Sequence, residues 1–541
     1  MWRKYLDSSL IVLIGLVLIL RLFIETSLKN FGPLGSHKIG DLSIDIIIFV
    51  VAVLYFIKGT FLKEKIIFPR AWIILAMFGG ICTISVFYSL DRPTSILSVT
   101  DLWGFILLML VLANLLNSFR RIRVIIYFLL TVAVLASGEA IYEYLFQLPW
   151  YLAHANPQMI EGHRDLAQLI LTHRTPTLFL WPNTMAGFLI MVFPLTVGLF
   201  LNTPRQSYKG LWAVIGCILM YTLYIELSIS SWVSLFLAAS FSLVFLKKSL
   251  KPHVYQWVLS GLLLLALLVS VVIIKKISFS HSNSFFSRQE FLSNAYYLII
   301  NHPIIGNGWS SFGTASAPYA KGIYGLTNYV HNTYIQIIAE VGLLGFLAFI
   351  IFLIYLGKDT LPLINHNKYH WLLLAVLTGI SACMLDNLSS YTMLLPNVAL
   401  YWWVLVGILL AFQANINPGQ GSSIAGVRSK LFLIAASVVL GCMAFRFIGA
   451  EYDYFTALPF IHANINQQEA VTLFQKADSL NGWDKKFELG QAVAYYELYN
   501  RSADKKYLKL AHETVLKTMG QASLGDERQA ILEKIDEALR I

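Results

Sequence analysis

From Ser9 to about residue 450 the chain is a succession of apolar runs, each close to the length that crosses a bilayer. In lipid, every backbone N–H and C=O must find a partner inside the protein, so only helices or closed barrels span. The long runs here lack polar–apolar alternation and therefore predict helices. Thirteen spans are expected, at about 9–25, 41–58, 70–89, 97–117, 122–147, 177–201, 210–228, 230–246, 254–275, 333–356, 370–387, 391–413 and 430–449. Only 13% of residues are charged, about half the fraction usual in soluble proteins. The expected class is an all-α polytopic membrane bundle of about 12–13 spans with long extracytoplasmic loops and a small soluble helical C-terminal domain. The first run follows the basic "MWRKY" and has no small-residue cleavage site after it, so it is read as a retained helix. Cys82, Cys217, Cys383 and Cys442 all sit in apolar segments without CxxC spacing, as small hydrophobes do.

Basic residues in the short connections set the expected orientation. With the N-terminus cytoplasmic, "KGTFLKEKIIFPR", "FRRIR", "TPRQSYKG", "KKSLKPH", "GKDTLPLINHNKYH" and "RSK" all fall inside, and every one is basic. Two long loops, 149–176 and 276–332, and the segment after Gly449 then lie outside. Loops of that length are usually functional or disordered. The expected division is a membrane domain, 1–450, followed by an extracytoplasmic helical domain, 451–541. Residues 451–541 hold 11 basic and 14 acidic side chains, which leaves +13 of the net +10 on residues 1–450. A basic membrane part suits loops resting on anionic lipid and gives no reason to invoke nucleic acid.

The C-terminal segment reads as short soluble helices. Leu473 and Ala477 recur as Tyr507 and Ala511, a spacing of 34, which is the period of the tetratricopeptide repeat. A small helical cap with accidental periodicity fits equally. In the second loop, "RQEFLSNAYYLIIN" places Phe291, Leu292, Ala295, Tyr296 and Ile299 at helical spacing, as expected of a helix lying on the bilayer surface.

That loop ends "HPIIGNGWSSF" and leads through "TNYVHNTYIQIIAEVGLLGF" into a span, so His331 and Asn332 stand at the membrane edge and Glu340 lies inside the helix. Together with Arg288, and with "RTPTLFLWPNTMAGFL" carrying Arg174 and Asn183 into an earlier span, this resembles the O-antigen ligase/polymerase family over about residues 170–412. One departure is "LSISSWVSLFLA", where Ser231 stands at a position that relatives often fill with Arg.

The resemblance implies a GT-C-like glycosyltransferase of the bacterial cytoplasmic membrane, acting with no cofactor. Its donor would be an undecaprenyl-diphosphate-linked glycan and its acceptor a hydroxyl of a lipid, glycan or protein, with membrane lipids around it and a protein partner recruited by the tail. Stabilising a diphosphate leaving group needs fixed cations, and arginine's planar fork suits phosphate. Arg288 and Arg174 are the expected cations, Asn183 and Asn332 the accompanying polar contacts. A competing role for either arginine is interfacial anchoring. His331, with an ordinary pKa of about 6.5, is the expected base for the acceptor; capping the helix competes with that role, and Asn332 is itself a fitting N-cap.

Glu340 lies nine residues after His331, roughly 2.5 turns on. The two are therefore not a dyad on one helix, and Glu340 is expected to pair with a basic or polar group of another helix in a supporting role. Asp386 has the same status. The spacings of His154, His163 and His173 match no compact ligand motif and the loops carry no DxD pair, so no metal is expected. A ligase, a repeat-unit polymerase and a protein oligosaccharyltransferase all share this donor chemistry. A lipid-linked sugar transporter should instead show internal repeats and broken helices at the midplane.

Overall fold

The computed structural model describes residues 2–27, 37–154, 174–175, 178–179, 181–246, 282–321, 327–364, 369–417, 422–424, 426–463 and 465–540, with short stretches between 255 and 270. Among them, ten helices are long and apolar enough to cross a membrane, and two shorter apolar helices join the same bundle. In chain order the bundle helices are α1 (Trp2–Ser27), α2 (His37–Phe61), α3 (Arg70–Ser85), α4 (Arg92–Leu115), α5 (Phe119–Tyr142), α6 (Pro182–Asn202), α7 (Gln206–Glu226) and α8 (Ile229–Leu246). After a loop helix α9 (Ser282–Asn301) come α10 (Thr333–Thr360), α11 (His370–Asp386), α12 (Pro396–Ile416) and α13 (Val427–His462). The span expected at 254–275 falls largely outside the described residues. The chain is an all-α polytopic membrane bundle.

Burial sorts the helices by place. In α12, Val398 to Phe412 is buried on every side, which marks a central helix. α10 is two-faced: Phe349, Phe352 and Leu356 are buried, while Leu347, Ile351 and Ile354 are exposed at helical spacing and form a lipid-facing stripe. α12 packs along α4, α11 along α6 and α8, α10 along α3, and α13 along α2.

At one end of the bundle an ion network ties three helices and the turn after α2 together. Lys58 of α2 pairs with Asp7 of α1 and, at 3.0 Å, with Glu64, while Arg121 of α5 reaches Asp7 at 2.8 Å. Beside it, strands β1 (Ile67–Pro69) and β2 (Ser422–Ile424) pair antiparallel, and Lys430 of α13 donates to the Gly59 carbonyl at 3.1 Å. The opposite end gathers α9, the starts of α4, α6, α10 and α12, the ends of α7 and α11, and the C-terminal helices.

Those helices are α14 (Gln467–Leu480), α15 (Lys486–Ser502), α16 (Lys505–Leu516) and α17 (Gly525–Arg540). α13 runs unbroken through residue 450, where the domain division was expected, and its last turns join the small core: Ala457 packs with Val471, Phe474, Leu508, Ala511 and Ile535. Lys486 pairs with Glu451 at 2.6 Å and Lys476 with Asp453 at 2.9 Å, which fixes the small domain to that helix. Ala477 and Ala511, 34 residues apart, are both fully buried, in α14 and α16 respectively.

Removing the cation between two buried carboxylates should be costly, because breaking a buried ion pair typically loses about 3–5 kcal/mol. Lys58→Met is expected to lower the Tm of the purified protein in nanodiscs, and adding Glu64→Gln should recover much of the loss. An unchanged Tm for Lys58→Met would show that the network contributes nothing.

Candidate active site

The loop "HPIIGNGW" is stitched into α10 at a break in that helix. Gly342 adopts φ 66° and ψ −174°, outside helical space. Such a break frees backbone groups that must be paired elsewhere, and the loop supplies the partners. The Asn307 and Gly308 N–H groups donate to the Ala339 and Glu340 carbonyls at 3.2 and 2.8 Å. In return, the Leu343 and Leu344 N–H groups donate to the Pro303 and Ile304 carbonyls at 2.9 and 3.2 Å. The contact leaves no room for side chains on the backbone: a Cβ on Gly342 would lie 2.1 Å from the Ile304 oxygen, and one on Gly306 2.3 Å from the Glu340 carbonyl.

Glu340 completes the stitch. Its fully buried carboxylate accepts the Ser310 N–H at 2.7 Å, the Phe312 N–H at 3.3 Å and the Gln336 amide at 3.0 Å. The expected partner on another helix is thereby replaced by loop amides, which satisfy a buried anion without a second charge. Trp309 continues the insertion: its N–H donates to Ser85 of α3, its carbonyl accepts from Ser95 of α4, and its ring meets Phe78 edge-on.

His331 stands at the head of the same helix. Its φ of 59° is left-handed, a conformation that costs roughly 1–3 kcal/mol in a non-glycine residue and clusters at functional sites. Asn332 caps α10, its Oδ1 accepting the Tyr334 and Ile335 N–H groups while Nδ2 donates to the Leu388 carbonyl at 2.8 Å. Both ends of that carboxamide are thus engaged by the fold. Thr333 donates to Asn387 at the end of α11 (2.7 Å), latching the two helix ends together.

α9 covers His331 from the other side. Phe291 stacks on the imidazole with ring centroids 5.6 Å apart, and Tyr391 meets it edge-on at 4.6 Å. Arg288 lies one turn before Phe291 on the same face of α9, and its charge reaches His331, Asp386 and Tyr391. Among the described residues it forms no salt bridge. Burial first, and then the Arg288 charge, hold the His331 pKa down to about 4. The imidazole is therefore neutral at physiological pH. Burial raises Tyr391 above the ordinary phenol value, with Arg288 opposing.

α9 differs from the expected surface helix. Ala295 and Leu298 pack with Phe312, Ala315, Val330 and Ala339, while Leu292 and Tyr296 are exposed on the other side. A helix apolar on both sides fits between protein and lipid.

From Arg288 a polar path leads to the first loop. Asp386 accepts from Ser231 at 3.1 Å, and Ser231 shares a hydrogen bond with Ser228 at 3.0 Å. Ser228 follows Leu227, whose φ of 50° turns the chain from α7 into α8. There Arg174 donates through Nε to the Glu226 carbonyl at 3.0 Å and through Nη2 to Asn183 at 2.7 Å, and Thr175 donates to the Glu226 carboxylate at 3.1 Å. Burial lowers the Arg174 pKa and Glu226 opposes that; a guanidinium stays charged throughout the physiological range. Arg174, Asn183, Arg288, His331 and Asp386 thus share one end of the bundle. Of the loop histidines, His154 is exposed and bonds the Trp150 carbonyl at 2.9 Å; His163 and His173 lie outside the described residues.

Residues 212–350 match the model of a family described as O-antigen ligase. Over that segment the chain is similar to the O-antigen ligase family. No curated protein matches the chain. The matched segment runs from α7 into α10 and includes Ser228, Ser231, Arg288, His331 and Glu340; Arg174, Asn183, Asp386 and the small domain lie outside it. The match, with the ten long apolar helices, supports a multi-pass membrane protein of the glycan-transferase type. Here Ser231 donates to Asp386, and the nearby positive charge comes from Arg288 on another element. Phe291 was marked only as part of an amphipathic loop helix, and Tyr391 and Asn387 had no mark beyond an aromatic or amide near a span end.

Glu340→Ala would strand two buried N–H donors, each costing about 1–3 kcal/mol. A lower Tm is expected for Glu340→Ala, with a larger drop for Gly342→Ala, whose Cβ has no space. Wild-type melting of Gly342→Ala would refute the stitched-loop account.

Proposed function

We propose that the protein transfers a glycan from undecaprenyl diphosphate to an acceptor hydroxyl on the outer side of the bacterial cytoplasmic membrane, as a ligase. The observation that carries this reading is a half-buried, neutral His331 in the field of Arg288 at a bundle end bordered by exposed apolar residues such as Leu292 and Tyr296. The basic short loops support an orientation with the N-terminus cytoplasmic and this end outside. The small helical domain then lies outside as well, as a tetratricopeptide-like unit that meets the acceptor or a partner protein.

The acceptor oxygen attacks the anomeric carbon while the bond from that carbon to the diphosphate oxygen breaks. The acceptor proton passes to the free imidazole nitrogen of His331, and undecaprenyl diphosphate leaves with its negative charge held by Arg288 and, on the far side of the Ser231–Asp386 path, Arg174. Asn183 orients Arg174. Asn332, capping α10 through Oδ1, positions His331, and its second Nδ2 N–H faces the donor. Glu340 and Asp386 hold the loop and the α8–α11 contact. A diphosphate on Arg288 also removes the field that depresses His331, so the base strengthens as the donor binds.

A polymerase separates in the host from a ligase or protein transferase. On gene deletion, long polymer stranded on the carrier with none on the surface is the expected result. Accumulated single repeats would assign a polymerase instead, and an unchanged ladder would refute all three.

The pH profile tests the base. His331 must be neutral to accept a proton, so kcat/KM, which reports the free enzyme, should hold down to pH about 5 and fall as pH drops through about 4. Arg288→Gln should cut kcat about 10²–10³-fold and move the acid limb upward, though below 6.5 because burial remains. A limb unmoved in Arg288→Gln would uncouple the two residues.

A further inference from the structure

A cavity of about 500 Å3 lies between the second loop and the small domain, outside the transfer chemistry described above. Thr314, Thr327 and Asn328 of the loop face Ser523, Gly525 and Asp526 of the small domain across it. That volume is in the range of ligand sites, roughly 300–1,000 Å3.

The lining decides what fits. The Asn328 amide and the Ser523 hydroxyl can donate or accept, while Thr314 and Thr327, whose hydroxyl protons go to Asp91 and the Tyr329 carbonyl, add acceptors, a mixture that suits a polyhydroxylated ligand. No lining residue is cationic. Asp526, with Glu527 beside it in the first turn of α17, makes the wall acidic, which disfavours phosphate or an anionic sugar. Pro318 adds a small apolar surface for the C–H face of a ring.

The cavity is also coupled to the site. Asn328 stands three residues before His331. Its carbonyl accepts from Gln336 at 3.2 Å, and the same amide holds Glu340 at 3.0 Å. Thr314 donates to Asp91, the cap of α4, at 3.0 Å. The loop wall is therefore rigid with respect to the reacting centre, while the opposite wall belongs to the small domain.

We infer that this cavity is a glycan subsite, built jointly by the loop and the C-terminal domain, that holds uncharged sugar residues of the donor chain or of the acceptor near His331. It rests on the transfer reading above, and its test is chosen to fail separately. The probe is the host glycan released from its carrier by mild acid and labelled at the reducing end, titrated against full-length protein in nanodiscs. A Cβ on Gly525 meets nothing within 4 Å, so Gly525→Ala leaves the cavity open and Gly525→Trp fills it, with Tm confirming that both fold. Gly525→Trp should weaken binding at least about tenfold and Gly525→Ala by less than about twofold.

In turnover, Gly525→Trp should raise the KM of whichever substrate uses the subsite: the lipid-linked donor if its chain lies there, the acceptor if its sugars do. Equal binding by wild type and Gly525→Trp, or transfer by wild type without any binding of the free glycan, overturns the subsite and leaves the transfer reading intact. Binding that Gly525→Trp abolishes, in a protein that never transfers from the carrier, supports the subsite and overturns the transfer reading.

Discussion

The exchange of backbone hydrogen bonds at the break in α10 holds the site together. A helix in lipid cannot leave carbonyls and amides unpaired, and a loop in lipid cannot either. Here each solves the other's problem, with Gly342 and Gly306 allowing the approach and the Glu340 carboxylate collecting the Ser310 and Phe312 amides. The same insertion carries Trp309 between α3 and α4, so the loop becomes part of the bundle. Everything placed by that loop inherits its rigidity, including α9 with Arg288 on one side and His331 on the other.

With the frame fixed, the electrostatics follow from burial. His331 is squeezed between Phe291 and Tyr391 beside a cation, and both surroundings disfavour its charged form. Arg174 is held by a backbone carbonyl and an amide, which orient its fork without neutralising it. The two cations are joined by a row of small hydroxyls, Ser228 and Ser231, and by Asp386. Arg174 lies beside Glu226 and Arg288 near Asp386, so each cation is partly balanced by a carboxylate held by hydroxyls.

The small domain is fixed to the bundle by a continuous helix and two ion pairs, Lys486–Glu451 and Lys476–Asp453. That attachment brings Ser523 and Asp526 opposite the loop, although nearly two hundred residues separate them from Asn328. A soluble domain so placed can contribute to substrate recognition without contributing to the reaction.

By itself the sequence determined the class, the helices and most of their ends, because the need to pair every backbone group in lipid turns apolar length directly into helix. It also marked His331 and Glu340, since a charge or imidazole at a membrane edge is costly enough to stand out, and, through the family resemblance, Arg288 and Arg174. It misjudged what those residues touch. Glu340 found loop amides where a residue on another helix was expected, and α9 buried Ala295 and Leu298 while exposing Leu292. Only the tertiary structure decided these matters: the break at Gly342, the rotation of α9 and the facing of Ser523 to Asn328 depend on contacts between segments far apart in the chain. Periodicity and composition report what each segment tolerates alone, and contain nothing about which distant backbone atom will be its partner.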